Sequence, residues 1–332
     1  KQLGGMLRYG IPTYRLPVDI LDKEINGILS TGIKTKMNVS VGTDISLADL
    51  LSQNDAVFVS IGAHTDKKIG IEGEGAEGVT SAVEMLRAIG DQEPIDYTGQ
   101  DVIVVGGGNV SMDVARSAVR LGAKSVKVVY RRRIIDMPVR IEKDANGKVE
   151  ALVVQPQLIG EINKGRASVK TADTPEVAIK CDQIIVAIGQ GIDSSKLEES
   201  GVHISRGHIE ALDTSDVEGV DGLFAGGDCV TGPATVIKAI AAGKVAAANI
   251  DEYLGYNHVI DAGIELPRIR FSDHEPCARV NMREIAPAER VKSFDLMEIG
   301  MTDEEACQES GRCLHCDHFG YGSFRGGRRE KW

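Results

Sequence analysis

Residues 102–133 read VIVVGGGNVSMDVARSAVRLGAKSVKVVYRRR. An apolar run, Val102 to Val105, meets three glycines at 106, 107 and 108. A helical pattern follows from about Asn109 to Leu121. A second β-branched run, Ser125 to Tyr130, ends in Arg131, Arg132 and Arg133. Strand, glycine turn, helix and strand within about thirty residues form the unit that binds dinucleotides. Gly106, Gly108, Asn109, Val110 and Ser111 would make its phosphate turn, with Ser111 where the third fingerprint glycine usually stands. The arginines follow the first glycine by about twenty-five residues, where an NAD-binding unit carries an acidic residue for the ribose 2′-hydroxyl. A guanidinium grips phosphate through paired charge-assisted hydrogen bonds, so Arg131 and Arg132 point to the 2′-phosphate of NADP(H). The competing reading is a solvated strand end.

Working outward, the 332 residues suffice for two domains with sizeable cores. Aromatics are only 4%, too few for a platform on which single-stranded nucleic acid would stack. A net charge of −11 argues against nucleic-acid and anionic-membrane surfaces. No apolar run reaches the length of a membrane span. Residues 18–30 have helical spacing, with Ile20, Leu21, Ile25, Ile28 and Leu29 on one face. Lys36–Val41 and Ala56–Ile61 read as short strands, Ser81–Ile89 as a helix, and Ala151–Val154 and Gln183–Ile188 as further strands. AVFVSIGA (56–63) and QIIVAIGQ (183–190) share a style, which points to two related domains. GLFAGGDCVTGPATVIKAIAAGKVAAANIDEYL (222–254) reads as a short strand, a Gly/Asp/Pro turn and a long helix that begins near Ala234.

These pieces together resemble the two-dinucleotide-binding-domain flavoproteins, among them the small (beta) subunit of NADPH-dependent glutamate synthase and the FAD/NADPH subunit of electron-bifurcating transhydrogenases. LGGMLRYGIPTYRLP (3–17), DAVFVSIGA (55–63), VIVVGGGNVSMD (102–113), YRRR with Met-Pro behind it (130–138), IIVAIGQ (184–190) and GLFAGGDCVTGPATVIKAIAAGK (222–244) carry the resemblance. It implies an α/β fold with two Rossmann-like domains, the FAD domain being interrupted by the NADP domain. The bounds expected are 1–90 and 191–255 for FAD, 91–190 for NADP(H), and 256–332 for a cysteine-bearing extension. It implies FAD contacts at Gly4, Gly5 and Asp228, and further cofactor contacts at Arg8, Gly62, Gly189 and Gly227. It also implies that the helix start at Ala234, Thr235 and Val236 faces the flavin pyrimidine, where negative charge appears on reduction. Family members begin with an FAD-binding glycine fingerprint and carry a helix-sized stretch after the Met-Pro pair. Here Lys1 opens directly into the 3–17 loop and Pro138 runs into Val139, so we expect a piece of a longer polypeptide, gapped after Pro138.

Hydride transfer between two cofactors requires no protein acid, base or nucleophile. Accordingly no catalytic residue is assigned. His203 and His208, in HISRGHI, read as exposed hairpin residues, and Cys181 and Cys229 stand alone, unlike a disulfide reductase pair. Cys307, Cys313 and Cys316 form C-x5-C-x2-C, with Cys277 as a fourth thiolate. Thr302–Arg312 reads as a helix with a Thr302/Glu305 capping box and an end at Gly311, which would gather the last three cysteines. Four thiolates suit an iron–sulfur cluster, [4Fe–4S] favoured, or a zinc; His315 and His318 widen the choice. The tail FGYGSFRGGRREKW (319–332) carries net positive charge and suits a surface or a partner. The leading expectation is a cytoplasmic FAD and NADP(H) electron-transfer subunit within a multisubunit complex of iron–sulfur and flavin proteins. The second reading is a non-redox scaffold that keeps nucleotide folds and a structural zinc.

Overall fold

In the computed structural model, which describes residues 2–130, 136–163, 166–259 and 277–312, Asp101–Val105 is an interior strand. It is flanked in parallel by Gln183–Val186 on one side and Ser125–Val129 on the other, and Val79–Ser81 completes a four-stranded parallel sheet beyond Gln183–Val186. The apolar run is unbroken because both faces are covered. Ile103 and Val105 pack with Ile141, Leu152 and Val154 of an antiparallel sheet. Val102 and Val104 point the other way, onto Met85 and Leu86 of the helix Ala82–Gly90 and Val114 and Ala118 of the helix Asn109–Arg120. Each such buried side chain contributes about 1.5–3 kcal/mol. Ser81 caps the helix Ala82–Gly90 in a capping box with Glu84.

The antiparallel sheet has the long strand Val149–Asn163 at its centre. Asp136–Lys143 and Val177–Lys180 flank its first half, and Arg166–Thr171 pairs with its second. Asp136–Lys143 runs through Pro138 as one strand, with a register shift between Pro138 and Arg140.

Two compact units divide the chain. The first comprises Lys1–Thr35, His64–Gln190 and Ile285–Met297, and holds both sheets above. Residues 1–35 and 64–90 thus fall with 91–190, because Val79–Ser81 is hydrogen-bonded into the same sheet. In the second unit, Val57–Val59 pairs in parallel with Leu223–Ala225. Leu47, Leu197, Ile209 and Cys229 complete its core. A hairpin joins Ile204–Ser205 to His208–Ile209 through Arg206 and Gly207, both left-handed at φ 52° and 78°, as a type I′ turn requires. The helix Val236–Tyr253 follows the short helix Asp228–Thr231. Arg283–Glu284 pairs with Glu298–Gly300, and the helix Asp303–Gly311 comes next.

Two expectations need correction. Lys36–Val41 is exposed and forms no strand, only an isolated bridge from Val41 to Ile45, since no neighbouring strand offers a ladder. In the helix Val18–Leu29 only Leu21 is buried, with Ile25 and Leu29 partly so; Ile20 and Ile28 face solvent. The inward stripe is therefore a single i, i+4, i+8 row. Among the described residues, no helix is long and apolar enough to cross a membrane.

Candidate functional site

The strand Asp101–Val105 ends at Gly106, whose φ of 143° suits glycine alone. A Cβ there would overlap the Ala187 carbonyl oxygen. The Gly106 N–H donates to the Val129 carbonyl at 2.9 Å, which ties the turn to the adjacent strand end. Gly108 then occupies the N-cap of the helix Asn109–Arg120 with no side-chain acceptor, and a Cβ on it would meet nothing within 4 Å. A twelve-residue helix thus presents a bare N-terminus, begun by Asn109 and Val110, to open space. Its first N–H groups lack intrahelical partners and its dipole favours negative charge. Ser111 is fully buried and donates its hydroxyl to the Ala187 carbonyl at 3.2 Å. It does the packing work of the third fingerprint glycine by pinning the helix to the end of the strand Gln183–Val186. Gly189, at φ 128°, lies just beyond that strand. Arg131 and Arg132 lie outside the described residues.

In the same unit, Gly4 (φ 119°) and Gly5 (φ 50°) open the helix Met6–Tyr9. A Cβ on Gly4 would press on Leu21 at 3.1 Å, whereas Gly5 faces open space. Arg8 is buried; its Nε donates to the Leu3 carbonyl at 2.7 Å and its guanidinium pairs with Asp22. Arg8 therefore shapes the loop from inside.

In the second unit, Gly62 (φ 68°) follows the strand Val57–Val59, and Gly227 (φ 79°) faces open space. Asp228 accepts the Ala234 N–H at 3.1 Å, and Thr235 caps the long helix by accepting the Lys238 N–H at 3.4 Å. Ala234, Thr235 and Val236 are exposed, as is every residue up to Ile240, while Val245, Ala246 and Asn249 are buried. Cys229 is fully buried and bonds the Gly226 carbonyl at 3.2 Å; burial pushes its thiol up. Cys181, buried in the first unit, is pushed up to about 11 for the same reason. Neither is a nucleophile at neutral pH. His203 is exposed and pairs with Glu210 at 2.6 Å, while His208 is half-buried.

The helix Asp303–Gly311 has the expected capping box: Thr302 accepts the Glu305 N–H at 3.2 Å and Glu305 accepts the Thr302 N–H at 2.8 Å. The chain at Cys277 folds back onto it. The Cys277 thiol contacts the Gln308 carbonyl at 3.8 Å, the Gln308 side chain donates to the Ala278 carbonyl at 2.8 Å, and the Val280 N–H donates to Glu309 at 2.8 Å. Cys277 and Cys307 are both exposed, free thiols on this assembly. Cys313 and Cys316 lie outside the described residues, and among those described no group of three or more ligands is placed to hold a metal.

Sequence reading missed a polar cluster behind the nucleotide turn. Asp113, buried in the helix Asn109–Arg120, accepts from Arg15 at 2.7 Å. The Tyr14 hydroxyl donates to the Asp113 carbonyl at 3.2 Å, and Tyr14 is itself fully buried. The Arg120 guanidinium lies over the Tyr14 ring, 4.0 Å from its centroid, and donates to the Ser293 carbonyl at 2.9 Å. Thr13 donates to the Phe294 carbonyl at 3.0 Å. Burial raises the Asp113 carboxyl above its usual range although Arg15 pulls the other way, and burial also raises the Tyr14 phenol. The one available signal was an aspartate in the apolar-facing row of an amphipathic helix.

A parallel sheet, a glycine turn and a bare helix N-terminus define a Rossmann-like dinucleotide-binding protein. Residues 22–243 match the pyridine nucleotide-disulphide oxidoreductase family, and the chain belongs to it. It is 35% identical to the NADP(+)-dependent formate dehydrogenase subunit beta of Moorella thermoacetica, over 96% of this chain and 50% of that protein. The NADPH-Fe(3+) oxidoreductase subunit beta of Geobacter sulfurreducens is 29% identical over 94% of this chain and 56% of its own length. The glutamate synthase [NADPH] small chain of Escherichia coli is 33% identical over 76% and 62%. The chain thus spans about half the length of the first two. The first alignment extends over 355 positions against 332 residues, so that relative carries segments within the matched span that this chain lacks. In fold the chain is similar to FprA from Mycobacterium tuberculosis in complex with NADPH, with a TM-score of 0.60 over 76% of this chain and 74% of that one at 16% identity.

Proposed function

We propose that the chain is an NADP(H)–FAD oxidoreductase subunit that exchanges electrons with iron–sulfur and flavin partner subunits of a cytoplasmic complex. The observation that carries the reading is the bare N-terminus of the helix Asn109–Arg120, open at Gly108 and flanked by a Gly106 that no other residue can replace. That geometry fits a pyrophosphate. NADP(H) is assigned to Gly106, Gly108, Asn109, Val110, Ser111 and Gly189, with Arg131 and Arg132 on the 2′-phosphate. FAD is assigned to Gly4, Gly5 and Arg8, and to Gly62, Gly227, Asp228 and the helix start Ala234–Val236. Open space at Gly5 and Gly227 fits close approach of a cofactor to backbone. The expected domain bounds, 1–90 with 191–255 for FAD and 91–190 for NADP(H), are kept as cofactor assignments. When bound, FAD would take a hydride from NADPH or return one to NADP+. The chain's own part is to bind, orient and supply a helix dipole.

Cys277, Cys307, Cys313 and Cys316 are assigned to an iron–sulfur cluster that carries electrons on. The support is that two of these thiols, thirty residues apart, share one helix-centred assembly.

The test is anaerobic titration of the full-length protein with NADPH and NADH. NADPH should reduce a bound flavin far better than NADH, and replacing Arg131 and Arg132 with glutamine should abolish the difference, each lost contact costing about 1.5–3 kcal/mol. Equal efficiency of NADH overturns the arginine assignment. A protein without flavin favours the scaffold reading. Cys313→Ser should remove iron and its visible absorption yet leave flavin reduction intact. Loss of zinc instead identifies a structural staple, and neither metal in anaerobic preparations rejects the site.

A further inference from the structure

The cluster behind the nucleotide turn is poorly explained as a stabilising device. Asp113 is 5% exposed, and its Oδ1 has no hydrogen-bond partner among the described residues. A buried carboxylate with one unpaired oxygen costs more than it returns, and a well-packed apolar residue commonly does better at such a place. What the charge supplies is registry. The Asp113 carboxylate holds Arg15 and the Asp113 carbonyl holds the hydroxyl of Tyr14, so consecutive residues of the loop 3–17 are fixed to one turn of the nucleotide-binding helix. The loop is otherwise short of regular structure: four residues of helix, Met6–Tyr9, and turn bonds from Arg15 and Leu16 to the Pro12 carbonyl. Its glycines, Gly4 and Gly5, are the ones assigned to FAD in this unit.

We propose that Asp113 is a positioning residue: acting through Arg15 and Tyr14, it sets the flavin-side loop 3–17 against the helix whose N-terminus takes the nucleotide phosphates. The proposal rests on the NADP(H)–FAD reading given above. Nucleotide bound at Asn109 bears on one end of the helix, and Asp113 sits one turn further along the same rigid element. A loop misplaced by about 1 Å can cost on the order of 10²-fold in a transfer between two bound groups.

The experiment compares Asp113→Asn, Arg15→Gln and the double variant with the unmodified full-length protein. Backbone hydrogen exchange is read at Leu7, Arg8, Arg15 and Leu16 with and without NADP+, and flavin reduction by NADPH is read in a stopped-flow instrument. Arg15 is half-exposed, so its replacement tests the contact without disturbing the core. The expected result is exchange at least about tenfold faster in the loop, loss of the protection that NADP+ confers there, and hydride transfer slowed on the order of 10²-fold, with NADP+ affinity and flavin content unchanged. The double variant should be no worse than either single one. Unchanged loop exchange, or exchange that rises equally in the strand Asp101–Val105, overturns the proposal, the second outcome marking a merely structural role. Failure of NADPH to reduce the flavin of the unmodified protein overturns the functional reading instead, and the exchange data tell the two failures apart.

Discussion

The two strand–turn–helix units of this chain, 101–120 and 223–253, use the same parts to different ends. In the first, the strand lies inside a four-stranded sheet, the turn is set by backbone clash, and the helix N-terminus carries no side-chain cap. In the second, the strand pairs with one described strand, Val57–Val59, and bridges Asp216 through Phe224, and two side chains, Asp228 and Thr235, already occupy N–H groups at the start of the long helix. A bare terminus is made for a full anionic charge. A capped one has fewer free N–H groups to offer a phosphate. The difference also marks where each unit can be broken.

The largest effect should come from Gly106→Val. The branched side chain must displace the Ala187 carbonyl and adopt a φ closed to it, so the first unit should lose about 3–4 kcal/mol in a denaturant titration. A loss below 1 kcal/mol would mean that the turn is softer than its geometry implies. Gly108→Val should do the reverse. Its Cβ meets none of the described residues, so stability should hold within about 1 kcal/mol, while NADP+ affinity falls by about 2 kcal/mol, or thirtyfold, by calorimetry. Unchanged affinity would displace the phosphate from this turn.

Both units should weaken at alkaline pH, the second through the Cys229 thiol that burial pushes up. The first buries Tyr14, Tyr97 and Cys181, all with raised pKa values, that of Cys181 at about 11. In the folded state the Cys181 thiol keeps its proton where the unfolded chain has lost it, so its stabilisation is complete below pH 9 and disappears as pH rises to 11. The first unit should therefore lose about 2 kcal/mol over that window, read as a falling melting temperature. A flat profile would place Cys181 in contact with water. The smallest effect expected is Thr235→Ala, about 1 kcal/mol from loss of the cap in the second unit. Its counterpart in the first unit does not exist, because Gly108 has no cap to remove.

Much of this was legible in the sequence. The unit at 101–129, the Ser81–Ile89 helix, the HISRGHI hairpin and the capped helix after Thr302 all carry local signals: unbroken apolar runs, capping boxes and left-handed turn residues. Ser111 was read as a lapse from the glycine fingerprint, yet its hydroxyl bond to Ala187 does the same packing work. The failures are non-local. Lys36–Val41 has strand-like residues but no neighbour to pair with, and the outward Ile20 and Ile28 depend on what the helix Val18–Leu29 packs against. The Asp113 cluster was invisible for a further reason. Its members come from positions 13–15, 113–120 and 293–294, and no spacing rule links them.

Those distances along the chain carry a consequence for biogenesis. The Thr13–Phe294 hydrogen bond spans 281 residues. A ribosome adding about 5–20 residues per second places these partners on the order of half a minute apart. The parallel sheet and its helices can assemble well before then, because all their strands precede residue 190. The loop around Tyr14 cannot be finished until Ile285–Met297 emerges. A nascent chain stalled before that segment should hold a formed sheet beside an unsealed loop, with the Tyr14 ring open to water and to chaperones.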